Sequence, residues 1–274
     1  MTPWLTVRHG EAPLVLSFPH TGIEFPEAIA KRLESPWLAR KDADWWVDKL
    51  YDFGSELGAT IVHTAVSRSV IDVNRDPSGA SLYPGQATTD LCPSTTFDGE
   101  PLYKAGMGIA TTEVADRRTE YFEPYHAALT SEISRLRSKH AALVLYDCHS
   151  IRSIVPRLFD GELPVFNIGT NSGASCAPAL TAAVESVCAT TTFNRVVNGR
   201  FKGGWITRHY GNPAKGVHAI QMELACRAYM RGDPGPVTEG GWPAPYDADY
   251  AAPTRAVLAR ILSTCLEFAR QSAA

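Results

Sequence analysis

Asp147-Cys-His-Ser150 sets an acid, a thiol, an imidazole and a hydroxyl on four consecutive residues, one residue after the apolar run Ala142-Leu-Val-Leu145. A short apolar run without helical spacing reads as a buried strand. Open α/β sheets bind ligands just beyond the carboxyl ends of their strands. His149, with Asp147 two residues before it, suits a metal ligand held from behind by a carboxylate. The plainer alternative is a His that caps the strand and bonds to Asp147. His20 occupies the same kind of place, after the run Ala12-Pro-Leu-Val-Leu-Ser-Phe18 and the break at Pro19. Two His, one carboxylate and an open position make a catalytic zinc site. Asp42 and Asp44 are acids that serve either as helix caps or, in one case, as a group facing a metal.

Three further clusters have the chemistry to work with such a site. Alternation along Val217–Leu224 puts Ala219, Gln221 and Glu223 on one face. An acid in that apolar company is costly to bury unless it is paired or catalytic. A Glu near a metal can take a proton from water and later pass it to a leaving amine. Arg68 precedes, and the pair Asn74-Arg75 ends, a strand-like run, Ser69–Asp76, and they can receive a carboxylate through forked hydrogen bonds. A surface pair between Arg75 and Asp76 is the alternative. Asn198–Gly211 carries glycines that allow close backbone approach, with Arg200, Lys202 and Arg208 to draw an anion. A basic surface loop has the same composition.

The elements that must position these groups alternate between strand and helix. Strands are expected at Ala12–Phe18, Ala59–Val66, Ser69–Asp76, from Ala142, at Pro164–Ile168 and at Val217–Leu224. Helices are expected at Pro26–Leu33, Lys41–Leu57, Thr112–His140 with a kink at Pro124, Ala174–Cys188 and Thr254–Arg270. Residues 77–110 read as a long loop or lid. The pattern predicts an α/β fold, a mixed, mostly parallel sheet with helices on both faces. No repeat or linker divides the chain, so one domain over residues 1–274 is expected.

Composition narrows the function. A net charge of −3 over 274 residues offers no basic field for nucleic acid. No apolar run is long enough to cross a membrane. The N-terminus lacks the basic flank and apolar core of a signal peptide. The six cysteines are scattered without C-x-x-C spacing, as in reduced thiols of a cytoplasmic protein.

Several segments together resemble one family, the N-formylglutamate amidohydrolases, also called N-formylglutamate deformylases. They are Ser17–Gly22, Asp42–Trp45, Arg68–Arg75, Asp147–Ser153, Asn198–Gly204 with Ile206–Gly211, and His218–Leu224, and they run nearly end to end. The resemblance implies a three-layer α/β sandwich akin to zinc carboxypeptidases and aspartoacylases. It implies metal-dependent hydrolysis of N-formyl-L-glutamate to formate and L-glutamate, in histidine degradation. It implies His20 and His149 as zinc ligands (another divalent transition metal being possible), with Asp44 as the acidic ligand and Glu24 as the alternative. It further implies Asn74 and Arg75 as the substrate-binding pair, Arg68 on the oxyanion and Glu223 as general base. The substrate carries two carboxylates, so Arg152, Arg200 and Arg208 are candidates for further contacts.

Rival readings are few. Arg8-His-Gly-Glu11 looks like the signature of histidine phosphatases, a weak match of four residues. A cysteine hydrolase would use Cys148, but neighbouring strand residues point to opposite faces, away from His149. A non-catalytic binder has no need of Glu223. An amidohydrolase for another N-acylated acidic amino acid, aspartoacylase-like, is the closest alternative.

Overall fold

A computed structural model describes residues 4–271. Its centre is a seven-stranded sheet of order β1-β3-β2-β4-β7-β5-β6, made by Leu5–Arg8, Leu14–Phe18, Thr60–Thr64, Leu143–Ile151, Phe166–Gly169, Arg195–Val197 and Val217–Ala225 for β1 to β7. The inner pairs β3–β2–β4–β7 are parallel, as is β5–β6; β1 joins β3, and β5 joins β7, antiparallel. The sheet is thus mixed, with its longest strands, β4 and β7, at the centre.

Side-chain alternation along the inner strands feeds two apolar layers. Leu14, Leu16 and Phe18 of β2, Val144, Tyr146 and Cys148 of β4, and Ile220, Met222 and Leu224 of β7 share one core. That core includes Leu180 and Val184 of α6 (Pro178–Ala189) and Leu258, Ile261 and Leu262 of α8 (Ala248–Gln271). Val15, Leu143, Leu145, Val217 and Ala219 belong to the other, with Tyr125, Leu129, Ile133 and Leu136 of α5 (Glu123–Arg137). Helices therefore pack on both faces, and every residue of β4 and β7 is buried. Buried Leu or Ile side chains of this kind contribute roughly 2 kcal/mol each.

Several expected elements differ from those observed. The helix read at Lys41–Leu57 is broken: α3 spans only Val47–Leu50, followed by a 3-10 turn at Asp52–Ser55. Trp46 has φ 63°, a left-handed conformation that a helix cannot pass through. The short helices α1 (Glu27–Ala30) and α2 (Pro36–Arg40) precede it. Ser69–Asp76 forms turns rather than a strand. The long helix divides into α4 (Thr111–Arg117), a π-helical turn at Arg118–Phe122, and α5. Pro124 follows the π turn directly within this continuous helical run, and its missing N–H and ring disturb the turn before it, so the expected kink appears as the π turn at Arg118–Phe122. Residues 77–110 carry no helix or strand. Trp205–Tyr210 forms a short helix, α7, inside the glycine-rich, basic stretch Asn198–Gly211. β1 and β6 were not anticipated.

Candidate active site and metal centre

β4 continues through His149 to Ile151, so the chemistry lies within the second half of the strand rather than beyond it. On the face that begins with Leu143 and Leu145, the strand changes to Asp147 and His149. β7 makes the same change, from Val217 and Ala219 to Gln221 and Glu223. In register, Asp147 stands beside Gln221 and His149 beside Glu223. The opposite face stays apolar through Cys148, Met222 and Leu224. One sheet face is thus core at its start and polar at its C-terminal end.

His20 follows β2, the other neighbour of β4. The backbone N–H of Asp44 donates to the His20 carbonyl at 3.0 Å. The irregular turn before α3 therefore brings this carboxylate to the sheet, which a continuous helix from Lys41 would not do. His20, Asp44 and His149 form a buried group whose potential ligand atoms lie within 4.8 Å of one another. Nδ1 of His149 is 3.0 Å, and Nδ1 of His20 3.8 Å, from Asp44 Oδ2. Glu24, the alternative acid, is exposed and outside this group.

Each imidazole is backed by a carboxylate on its other nitrogen. His20 Nε2 is 2.6 Å from Asp72 Oδ1, and His149 Nε2 is 2.9 Å from Asp147 Oδ2. A carboxylate behind one imidazole nitrogen, with the other nitrogen toward Asp44, is the common arrangement around metal-ligating His. Asp44 is fully buried, and its Oδ1 has no hydrogen-bond partner. A buried carboxylate with an unsatisfied oxygen beside two inward-facing imidazoles fits a divalent cation.

Asp72 was not singled out from the sequence, yet it organises the surroundings. Its carboxylate accepts from Arg68 Nη2 at 2.7 Å and from the Asn74 N–H at 2.9 Å, besides His20. Arg75 Nε is 3.6 Å away. Burial opposes its charge, but His20, Arg75 and Arg68 hold its pKa well below the usual range. Asn74 is equally constrained. Its Nδ2 lies 2.9 Å from both Asp147 Oδ2 and His149 Nε2, and its Oδ1 accepts from the Ile206 N–H at 2.8 Å. A Cβ on Gly204 would fall 2.5 Å from this amide, so the start of α7 needs glycine there.

Electrostatics separate the two histidines. Burial and Arg68 lower His20, whereas Asp147 and Asp44 outweigh burial and raise His149 well above its ordinary value. Burial, with Asp44 adding, pushes Glu223 up to about 7, against the pull of His149, Arg68 and Gln221. Gln221, expected on this face but given no role from the sequence, donates from Nε2 to Glu223 Oε2 at 2.9 Å. Its Oε1 accepts from the Gly204 N–H at 2.7 Å, which fixes the amide's orientation.

A narrow cleft opens over this group. His20, His149, Glu223, Arg68, Asn74, Arg75 and Arg200 line it, with Tyr83 and Ala87–Thr89 from the long loop and Phe97, Leu158 and Phe201 on the walls. Arg68 lies against the Phe97 ring. Arg152 and Arg208 are not in the lining. Arg152 Nη2 pairs with Asp42 and Asp98 at 3.2 and 2.8 Å, and Asp42 accepts from the Phe97 N–H, so this arginine braces the turn that carries Phe97. Arg208 donates to the Gly203 carbonyl and lies over Tyr83.

The rival motifs fall elsewhere. His9 is exposed and pairs with Glu132, while Glu11 pairs with Lys139 and Arg135 at the surface. Cys148 is buried on the opposite sheet face, where burial raises its thiol pKa well above the ordinary value. All six cysteines are free and buried.

Residues 12–230 match the model of one family, described as N-formylglutamate amidohydrolase. The chain belongs to the N-formylglutamate amidohydrolase family. It is 45% identical over 268 residues to the N-formylglutamate deformylase of Pseudomonas aeruginosa, covering 97% of each chain. It is 44% identical over 263 residues to the Pseudomonas putida deformylase, covering 96% of this chain and 95% of that one. Among solved structures, its fold is similar to an N-formylglutamate amidohydrolase from Ralstonia eutropha JMP134, with TM-score 0.75, 23% identity, and 98% and 99% of the two chains covered. It is also similar to the Agrobacterium tumefaciens gene product Atu2144, with TM-score 0.68, 17% identity and 95% of each chain covered. Family membership and the placement of six distant segments around one cleft agree.

Proposed function

We propose that this member of the N-formylglutamate amidohydrolase family is a metal-dependent hydrolase that converts N-formyl-L-glutamate to formate and L-glutamate. The observation that carries the reading is Glu223 beside His149 of a buried His20–Asp44–His149 group, in a chain 45% identical to a deformylase over 97% of its length. His20, Asp44 and His149 are the proposed metal ligands, and zinc suits two imidazoles and one carboxylate. A zinc ion held there supplies Lewis acidity that polarises the formyl carbonyl and makes an attacking water more acidic.

The chain's own residues do the rest. Glu223 takes a proton from water, whose oxygen attacks the formyl carbon. Arg68, fixed by Asp72, stabilises the oxyanion that develops as the carbonyl becomes tetrahedral. Glu223 then returns the proton to the glutamate nitrogen as the C–N bond breaks, leaving formate and the free amine. Asn74 and Arg75 orient the substrate through a carboxylate, and the remaining cation of the cleft, Arg200, adds to the field that draws a dianion. Arg152 and Arg208 support this surface from outside the lining.

On this reading residues 1–274 form one catalytic domain, the fold is kin to zinc carboxypeptidases and aspartoacylases, and the reaction serves histidine breakdown. Buried, unpaired thiols suit a cytoplasmic setting. Purified protein incubated with N-formyl-L-glutamate should release formate and glutamate in equal amounts. Turnover of N-acetyl-L-glutamate or N-acetyl-L-aspartate instead would transfer the proposal to another acyl group.

A further inference from the structure

Asp44 reaches the metal group from a turn that is strained rather than helical. Two residues later Trp46 has φ 63°, a left-handed conformation that is unfavourable for a bulky side chain. Such a conformation persists only where its surroundings over-determine it. Two holds are local to the fold around the turn. The Asp44 N–H donates to the His20 carbonyl at 3.0 Å, and the Trp46 indole N–H donates to the Ala244 carbonyl at 2.9 Å. A third comes from a residue that takes no part in the chemistry. The Tyr229 hydroxyl donates to the Trp45 carbonyl at 2.9 Å and lies 2.8 Å from the Ser150 hydroxyl.

These two partners each follow a proposed ligand. Trp45 comes after Asp44 in the turn, and Ser150 comes after His149 in β4. The Ser150 N–H also donates to Asp44 Oδ2 at 3.2 Å, and the same oxygen lies 3.0 Å from His149 Nδ1. One phenol oxygen thus joins the turn to the strand that it faces. The phenol itself is placed from elsewhere. Tyr229 is fully buried and follows the 3-10 turn Cys226–Ala228 at the end of β7. The Thr254 hydroxyl of α8 donates to the Ala228 carbonyl, and the Tyr250 hydroxyl of α8 donates to the Arg227 carbonyl at 2.8 Å. The position of Tyr229 is therefore set by β7 and α8, independently of the metal group. A phenylalanine would fill nearly the same volume, so packing alone does not call for the hydroxyl.

We propose that Tyr229 is a positioning residue of the metal centre: its hydroxyl holds the Asp44 turn against β4 at the spacing that lets Asp44 and His149 bind one ion. The proposal rests on the reading of His20, Asp44 and His149 as ligands and goes beyond it by naming what sets the separation of two of them.

Zinc affinity, measured by competition with a chromophoric chelator, tests this without relying on turnover. Tyr229→Phe should weaken zinc binding about tenfold, the low end for loss of a group that supports a ligand from behind. Formate release lost at limiting zinc should return as zinc is raised. Tyr146→Phe is the control for a phenol lost from the core, since its hydroxyl faces that of Tyr51 at 3.3 Å. It should lower the melting temperature of the metal-free protein and leave zinc affinity unchanged. Tyr229→Phe with wild-type zinc affinity overturns the proposal, whatever its melting temperature, and so does an equal loss of affinity in Tyr146→Phe. Should Tyr229→Phe not fold, Ser150→Ala decides, because it removes the hydroxyl partner and keeps the backbone N–H on Asp44. Weaker zinc binding then supports the proposal, and unchanged binding overturns it. Failure of the ligand reading has a different signature, wild-type protein that binds no zinc or Asp44→Asn that binds it as tightly as wild type, and it overturns this proposal as well.

Discussion

Glu223 and His149 are register neighbours on parallel strands, which sets a carboxylate beside the His20–Asp44–His149 group without any loop to relax it. Glu223→Gln preserves the volume and can still accept from Gln221, so packing should survive. The substitution removes only the ability to carry a proton. Turnover should fall by about 10²–10⁴ with metal content unchanged, measured by steady-state formate release and metal analysis of the same sample. Near-normal kcat would take Glu223 out of the proton-transfer role. Asp147 was legible because it precedes His149 by two residues, on the same face of a strand. Asp72 was not, because it binds His20 across 52 positions of sequence and looks, locally, like one polar residue in an apolar run. Gln221 was seen to share a face with Glu223, but its role depends on Gly204, which folding brings from another segment. Arg152 shows the converse: its charge suggested a ligand, while Asp42 and Asp98 already balance it.

Helix α5 anchors the site from behind. His126 bonds through Nε2 to the Val73 carbonyl, one residue before Asn74, and through Nδ1 to Tyr210 of α7. Burial pushes its pKa down from 6.5 to about 4. The folded protein then binds this proton more weakly than the unfolded chain does. The contribution to stability is fully present above pH 6.5 and is lost as pH falls towards 4, by on the order of 2–3 kcal/mol. His126→Gln should flatten the fall in melting temperature between pH 7 and pH 4.5 relative to the parent protein. Equal falls in both would assign the acid sensitivity to other groups. Periodicity revealed α5 and the central strands because their packing repeats over many residues. It failed at Lys41–Leu57, where apolar residues keep helical spacing but Trp46 adopts a left-handed conformation and the chain turns to deliver Asp44. Ser69–Asp76 failed for a related reason. Its β-branched residues pack into the core as turns, since Asp72 organises the local backbone through the Asn74 N–H.

Across the whole molecule, the α/β class and the gathering of His20, Asp147, His149 and Glu223 at one end of the sheet followed from strand ends read one by one. The edge strands β1 and β6 did not, being four and three residues long with little apolar signal. The antiparallel pairing of β5 with β7 was equally hidden, because pairing direction depends on how distant segments meet. The sheet order nevertheless decides the chemistry: β2, β4 and β7 are consecutive neighbours, so the groups they carry share one cleft. Metal-assisted deformylation from that cleft is tested most directly by measuring formate release from N-formyl-L-glutamate before chelation, after chelation, and after zinc is restored. Release should stop when the metal is stripped and return with zinc. Full release from protein shown by elemental analysis to be free of metal would contradict the mechanism.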